Sequence, residues 1–276
     1  MPSLALLISG ALALALVPLG LRELRELEAV RPNYRGARLP WPAGILIASI
    51  GLLSLLALGP LAQLDDGSAT YAQSAPVALY TIGVALLGLL DDLLGGRLAG
   101  GPRGVRAHAR ALLGGRISTG VLKGFGASGL ALYCTSLLAL SDGSWLLASG
   151  VLVLATHAFN LLDLRPGRAP KGLVLLGAGL TIAAGPRAAY VLGAFLGPAL
   201  VLGVYDLRER ALLGDCGASV LGALAGWWLV LTLAPAGMAV ALALLAATCL
   251  FGELRSISTA VERLPLLRHL DSIGRP

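Results

Sequence analysis

The sequence predicts an all-α, polytopic membrane bundle of about nine transmembrane helices, with its N-terminus outside and its C-terminus in the cytoplasm. Three observations predict it. The composition is 57% hydrophobic and 13% charged, with a mean hydropathy of +0.82. A water-soluble globule carries fewer apolar residues and about a quarter charged ones. Nearly the whole chain falls into continuous apolar windows of spanning size, roughly 17 to 25 residues for a helix. The basic residues collect in every second connection between those windows.

The windows run Pro2 to Leu21, Trp41 to Leu61, Ala75 to Leu90, Val121 to Leu140, Trp145 to Leu162, Gly172 to Ala184, Ala188 to Tyr205, Ala218 to Leu233 and Ala236 to Gly252. The sixth is the shortest, and a re-entrant sixth segment reverses every orientation after it. Continuous apolarity, without the period-two alternation of barrel strands, excludes a transmembrane β-barrel. With the first helix running outside to inside, 20 of the 21 basic residues fall on the inner face, Arg187 alone lying outside. That is the positive-inside pattern, and it places the protein in the bacterial cytoplasmic membrane as a multi-pass protein. The first window has no basic segment before it and is followed by Arg22 and Arg25, so it reads as an N-out anchor and not as a cleaved signal. Residues 1–253 form the membrane domain and 254–276 a cytoplasmic tail.

Net charge is +6. Because the arginines follow the topology, they point to anionic headgroups or substrate phosphates, and no nucleic-acid partner is expected. Cys134, Cys216 and Cys249 lie in different segments without metal-ligand spacing and read as buried thiols. The first inner loop, Arg31 to Gly44, is rich in proline and glycine, which forbid regular helix and impose turns. Asp65 and Asp66, on the outer side, read as solvated surface.

Asp91 and Asp92 stand side by side at the inner end of the third window. Adjacent carboxylates repel and are costly near lipid, so a cation or a phosphate-bound metal is the natural reason for the pair. The following loop, Gly95 to Gly120, allows a short helix over Val105 to Leu113 that sets Arg106 and Arg110 four apart on one face, toward phosphate; a flexible basic loop fits the same spacing. Further on, Asn160 and Asp163 share a helix face, with His157 one turn above Asn160. Small residues flank Asp215 in Gly214-Asp215-Cys216-Gly217-Ala218-Ser219, where a helix start near Gly217 offers N–H groups to an anion; an Asp N-cap is the plainer use of that acid. Asp91, Asp92, Asp163 and Asp215 thus sit at the inner ends of three helices beside most of the arginines, an arrangement suited to a magnesium and diphosphate site.

Leu90-Asp91-Asp92, the basic loop closing in Thr119-Gly120-Val121-Leu122-Lys123, Asn160-Leu161-Leu162-Asp163 and Gly214-Asp215-Cys216-Gly217-Ala218 occur in the order of a known family. Together they resemble the polyprenyl-phosphate N-acetylaminosugar-1-phosphate transferase superfamily, glycosyltransferase family 4, which includes phospho-N-acetylmuramoyl-pentapeptide transferase-like enzymes. The Asn33 to Gly44 loop is similar to that family's first cytoplasmic loop.

The resemblance implies transfer of a sugar-1-phosphate from a UDP-sugar to a polyprenyl phosphate, with Mg2+ as cofactor and UMP released. It implies Asp215 as chief metal ligand, Asp91 and Asp92 acting on the lipid phosphate or the metal, and Lys123 and Asn160 on phosphates. Asp163 would line the nucleotide-sugar pocket. From the residues themselves, Arg106 and Arg110 are candidate phosphate contacts, and His157 is either a buried hydrogen-bonding residue or a further substrate contact. The chain departs from the pattern at Gly95, where the family has a third Asp or Asn, at His157 in place of Asn, and at Pro166 in place of an acid. It also lacks the family's histidine motif in the last inner loop, keeping only His269. The metal and phosphate half of the site is therefore expected to persist while the half that selects a nucleotide sugar departs. The alternative from another class is a catalytically silent relative that binds polyprenyl phosphate or a protein partner and regulates envelope synthesis. A secondary transporter fits worse, since the acids sit at helix ends and paired broken helices are lacking. Gly193, Gly197 and Gly203 suit helix packing within the chain or a homodimer.

Overall fold

The computed structural model describes residues 3–64, 68–95, 114–115, 118–255 and 257–275. It is an α-helical bundle among those residues, and every apolar window is largely helical. In chain order the helices are α1 (Leu4–Glu26), α2 (Ile45–Leu64), α3 (Ser68–Leu94), α4 (Thr119–Ser136), α5 (Asp142–Leu162), α6 (Arg168–Ala184), α7 (Arg187–Val191), α8 (Gly193–Leu207), α9 (Gly214–Thr232), α10 (Pro235–Leu254), α11 (Ile257–Arg263) and α12 (Pro265–Ser272). Among the described residues, α1, the Ser74–Leu94 part of α3, α5, α9 and α10 are long and apolar enough to cross a membrane; Ile45–Leu61 and Gly193–Leu207 are apolar but shorter. The seventh window breaks into α7 and α8 at Leu192, and the fourth stops at Ser136, short of the Ser141 turn.

Around α9 the other helices are arranged, with α3, α5 and α6 packed against it. Its glycines allow that closeness, as expected where dispersion and not hydrophobic transfer drives helix association in lipid. Gly222 lies against Thr156 and the Ala155 carbonyl, and Gly226 against Leu152. Trp227, fully buried, meets the Tyr80 ring edge-on at 6.3 Å, a favourable quadrupole geometry. Gly193 and Gly197 press on α1, next to Leu6, Ser9 and Gly10, so these two serve packing within the chain. The Ser9 hydroxyl donates to the Gly193 carbonyl at 2.6 Å across that contact.

The proline-rich first loop is a small antiparallel ribbon, β1 (Val30–Pro32) and β2 (Arg38–Pro40), with Arg31 opposite Leu39. The Asn33 side chain shapes its turn, accepting from the N–H groups of Arg35 and Ala37 at 2.9 Å each. Backbone bonds then sew the ribbon's exit to the segment before α9: Ala43 N–H to the Leu212 carbonyl, Gly44 N–H to Leu213, and Leu212 N–H back to Pro40. The arginine-rich connections before α2, after α5 and before α9 meet at one end of the bundle, and the tail of α11 and α12 joins them there.

Candidate functional site

Four helices bring their ends together around Lys123, which rises from the first turns of α4. Its Nζ donates to Asp215 Oδ2 and to Asn160 Oδ1, each at 2.9 Å, and lies 3.7 Å from Asp91 Oδ2. Asp91 and Asp215 thus flank the same ammonium. Lys123, Asp91, Asn160 and Asp215 were each expected at the site, and the structure brings all of them together.

Local sequence explains the placement. Ser118 caps α4 by accepting from Val121 N–H, setting the register in which Lys123 faces the bundle. Asn160 is held by its own amide, donating to the Thr156 carbonyl at 2.7 Å and toward Ser219 Oγ at 3.2 Å, which leaves Oδ1 for the lysine. Gly88, one turn before Asp91, lies so close to the start of α9 that an added Cβ would stand 2.5 Å from the Asp215 carbonyl oxygen. Only a residue without a side chain lets α3 and α9 approach this far.

Asp92 has a different place from its neighbour. Its Oδ1 accepts from Asp215 N–H and its Oδ2 from Cys216 N–H, both at 2.9 Å. The carboxylate of α3 thereby caps α9 from across the bundle, meeting two of the N–H groups that a helix start leaves unpaired. Both oxygens of Asp92, a residue expected on the metal or the lipid phosphate, are engaged with backbone N–H groups and fix the start of the helix that carries Asp215. The expected start of this helix near Gly217 moves to Gly214, where φ is +70°, and the cap comes from Asp92 and not from Asp215.

Asp163 ends α5 and lies beside a cavity of about 180 Å³, lined also by Asn33, Tyr34, Arg165, Pro166 and Asp206. Burial, followed by the charges of Asp206, Asp215 and Asp92, holds the Asp163 carboxyl well above the usual carboxylate range. His157 sits apart from the lysine cluster's hydrogen bonds, with Nε2 3.5 Å from Glu253 Oε1 of α10. Arg106 and Arg110, the helix expected over 105–113, and Asp65 and Asp66 lie outside the described residues.

Several participants escaped sequence reading. Asp206, 1% exposed, accepts from Gly167 N–H at 2.7 Å and so ties the loop after Asp163 to α8. Glu209 accepts from Asn33 Nδ2 and from the Tyr34 hydroxyl, at 2.9 Å each, fastening the β-ribbon to the loop before Asp215. Ser219 and Glu253 complete the surroundings of Asn160 and His157. Asp206 and Glu209 share one short charged segment with Arg208 and Arg210, which gives no hint of which charge turns inward.

Among the described residues no group of three or more His, Cys, Asp or Glu side chains is arranged to hold a metal. What converges is a pair of carboxylates, Asp91 and Asp215, on either side of one ammonium. Mg2+ is commonly held by one or two carboxylates while substrate phosphates and water complete its octahedron. The pair fits that shared mode and not a self-contained cage. No family model and no curated protein matches the chain.

Proposed function

We propose that the protein is a phosphoglycosyl transferase of nine membrane spans, moving a sugar-1-phosphate from a UDP-sugar to a polyprenyl phosphate at the cytoplasmic face. The observation that carries this reading is the Lys123 junction, where an ammonium, two carboxylates and an amide from four helices meet at the arginine-rich end of the bundle. In the transfer, a lipid-phosphate oxygen attacks the β-phosphorus of the UDP-sugar. A new P–O bond forms, the bond from that phosphorus to the bridging oxygen breaks, and UMP leaves with the electron pair.

Asp91 and Asp215 would hold Mg2+, which when bound neutralises charge on the diphosphate oxygens. Lys123 pairs with a phosphate oxygen once substrate draws it from Asp215. Asn160 holds that ammonium in line, because its own amide is fixed by Thr156 and Ser219. Asp92 keeps Asp215 aimed by capping α9. Asp163 and the cavity beside it face the nucleotide-sugar side.

One observation favours a silent, lipid-binding relative. Pro166, where the family has an acid, offers its carbonyl to Arg275 Nε at 2.8 Å, so the C-terminal tail occupies part of the loop that would otherwise meet the nucleotide. The two readings separate in one experiment: purified protein with Mg2+, undecaprenyl phosphate and a panel of labelled UDP-sugars. Lipid-linked sugar and UMP in equal amounts, abolished by Asp215→Asn, support the transferase. Intact lipid binding with no UMP across the panel supports the silent relative.

A further inference from the structure

On the side of the bundle formed by α6 and α8, away from the Lys123 junction, runs an apolar groove of about 430 Å³. Its walls are the first turns of α6 and the last turns of α8, with Ile273 of the tail at its end. Val174, Leu175, Leu200, Val204 and Ile273 are all exposed along it, 41% to 68% of each surface being free. Among the described lining residues one is charged, Lys171, and it stands at the arginine-rich end.

Behind Lys171 is an ionic knot. Arg168 donates to Asp271 Oδ1 at 2.7 Å and Oδ2 at 3.0 Å, Arg275 reaches the same carboxylate at 2.7 and 3.1 Å, and Lys171 Nζ donates to the Asp271 backbone carbonyl at 2.7 Å. Three cations therefore gather on a single acid, Asp271. Positive charge is left in excess at the mouth of an apolar slot. The chemistry that complements both is a hydrocarbon chain attached to an anionic headgroup.

We propose that this groove binds an anionic phospholipid of the surrounding membrane, one acyl chain lying between α6 and α8 and the phosphate drawn to Lys171. The tail takes part in the site, with Asp271 at its polar end and Ile273 on its apolar wall. The site is separate from the proposed transfer chemistry and stands whether or not the protein is an enzyme.

The test is native mass spectrometry of the delipidated full-length protein, titrated with phosphatidylglycerol and with phosphatidylcholine. One interfacial cation favours the anionic lipid by about fivefold. Lys171→Gln should bring the two lipids to within about twofold, and Lys171→Arg should restore the preference. Val204→Trp, which fills the groove from an exposed position without touching the core, should weaken both lipids. Equal binding of the two lipids by the unaltered protein, or an unchanged preference in Lys171→Gln, would overturn the proposal. So would undiminished binding in Val204→Trp, or a loss of dimers in that variant, which would assign the groove to a second copy of the chain.

Discussion

The Asp92 carboxylate holds the start of the helix that carries Asp215, taking the Asp215 N–H on one oxygen and the Cys216 N–H on the other, at 2.9 Å each. The two acids are 123 residues apart in the chain and act as one unit. Removing a cap of this kind costs about 1–2 kcal/mol. Asp92→Ala is therefore expected to lower stability by that amount in magnesium-free buffer, and Asp92→Asn by less, because an amide oxygen still accepts one N–H. Denaturant unfolding in micelles measures both; an Asp92→Ala protein as stable as the parent removes the capping role.

Gly88→Ala tests the closeness of α3 and α9. The new methyl would meet the Asp215 carbonyl oxygen at 2.5 Å and its carbon at 2.7 Å, both backbone atoms that cannot step aside. Overpacking of this sort costs about 1–3 kcal/mol. The same change at Gly129, which has no atom within 4 Å of its would-be Cβ, should be neutral or stabilising by up to about 1 kcal/mol from helix propensity. Comparable losses at both positions would mean that the approach at Gly88 is not as tight as described.

Lys123→Gln leaves the Asp91 and Asp215 carboxylates facing each other without their ammonium. The variant is expected to melt lower than the parent and to regain part of the loss in millimolar Mg2+, with a larger upward shift than the parent shows. Thermal unfolding with and without the ion reads this directly. A variant that ignores Mg2+ would argue against a cation site between the two acids.

The Asp163 carboxyl stands well above the ordinary range, chiefly through burial. With its folded pKa raised, the folded state holds a proton that the unfolded chain has already released. Stability then falls as pH rises from the unfolded value toward the raised one. Asp163→Asn should flatten that slope and leave the protein more stable than the parent at neutral pH. An unaltered pH profile of unfolding would show that Asp163 is charged in the folded state.

Asp271 behaves in the opposite sense. Burial raises its carboxyl, but the hydrogen bonds and charges of Arg168 and Arg275 outweigh it and leave it below its usual value. A depressed carboxylate contributes stability above the unfolded pKa, and that contribution is lost as pH falls through the folded one. Hydrogen exchange along residues 257–275 should accelerate at acid pH before the bundle opens. In Asp271→Asn the tail should exchange fast already at neutral pH.

Much of the architecture follows from composition and period. Continuous apolar windows leave helix as the one backbone solution that satisfies its own hydrogen bonds in lipid, so most of each window is helical in the described chain. Asp91, Asn160 and Asp215 were legible as candidates for a related reason, and Lys123 through the resemblance alone. A charge or amide at the end of an apolar helix is costly unless something meets it. What the sequence could not supply was the division of labour between neighbours. Asp91 and Asp92 differ by one position, yet 100° around a helix turns one toward Lys123 and the other toward the backbone of α9. Nor could it pair Asp271 with Arg168 or Glu209 with Asn33, since such partners are chosen by helix packing across 103 and 176 residues of chain. The sequence by itself determined a membrane bundle with its acids and arginines at helix ends, because burial energetics act residue by residue. Only the tertiary structure decided which acid holds a backbone, which meets a cation and where the tail closes, because those outcomes depend on how near two helices come, and at Gly88 that distance is set by the absence of a single methyl group.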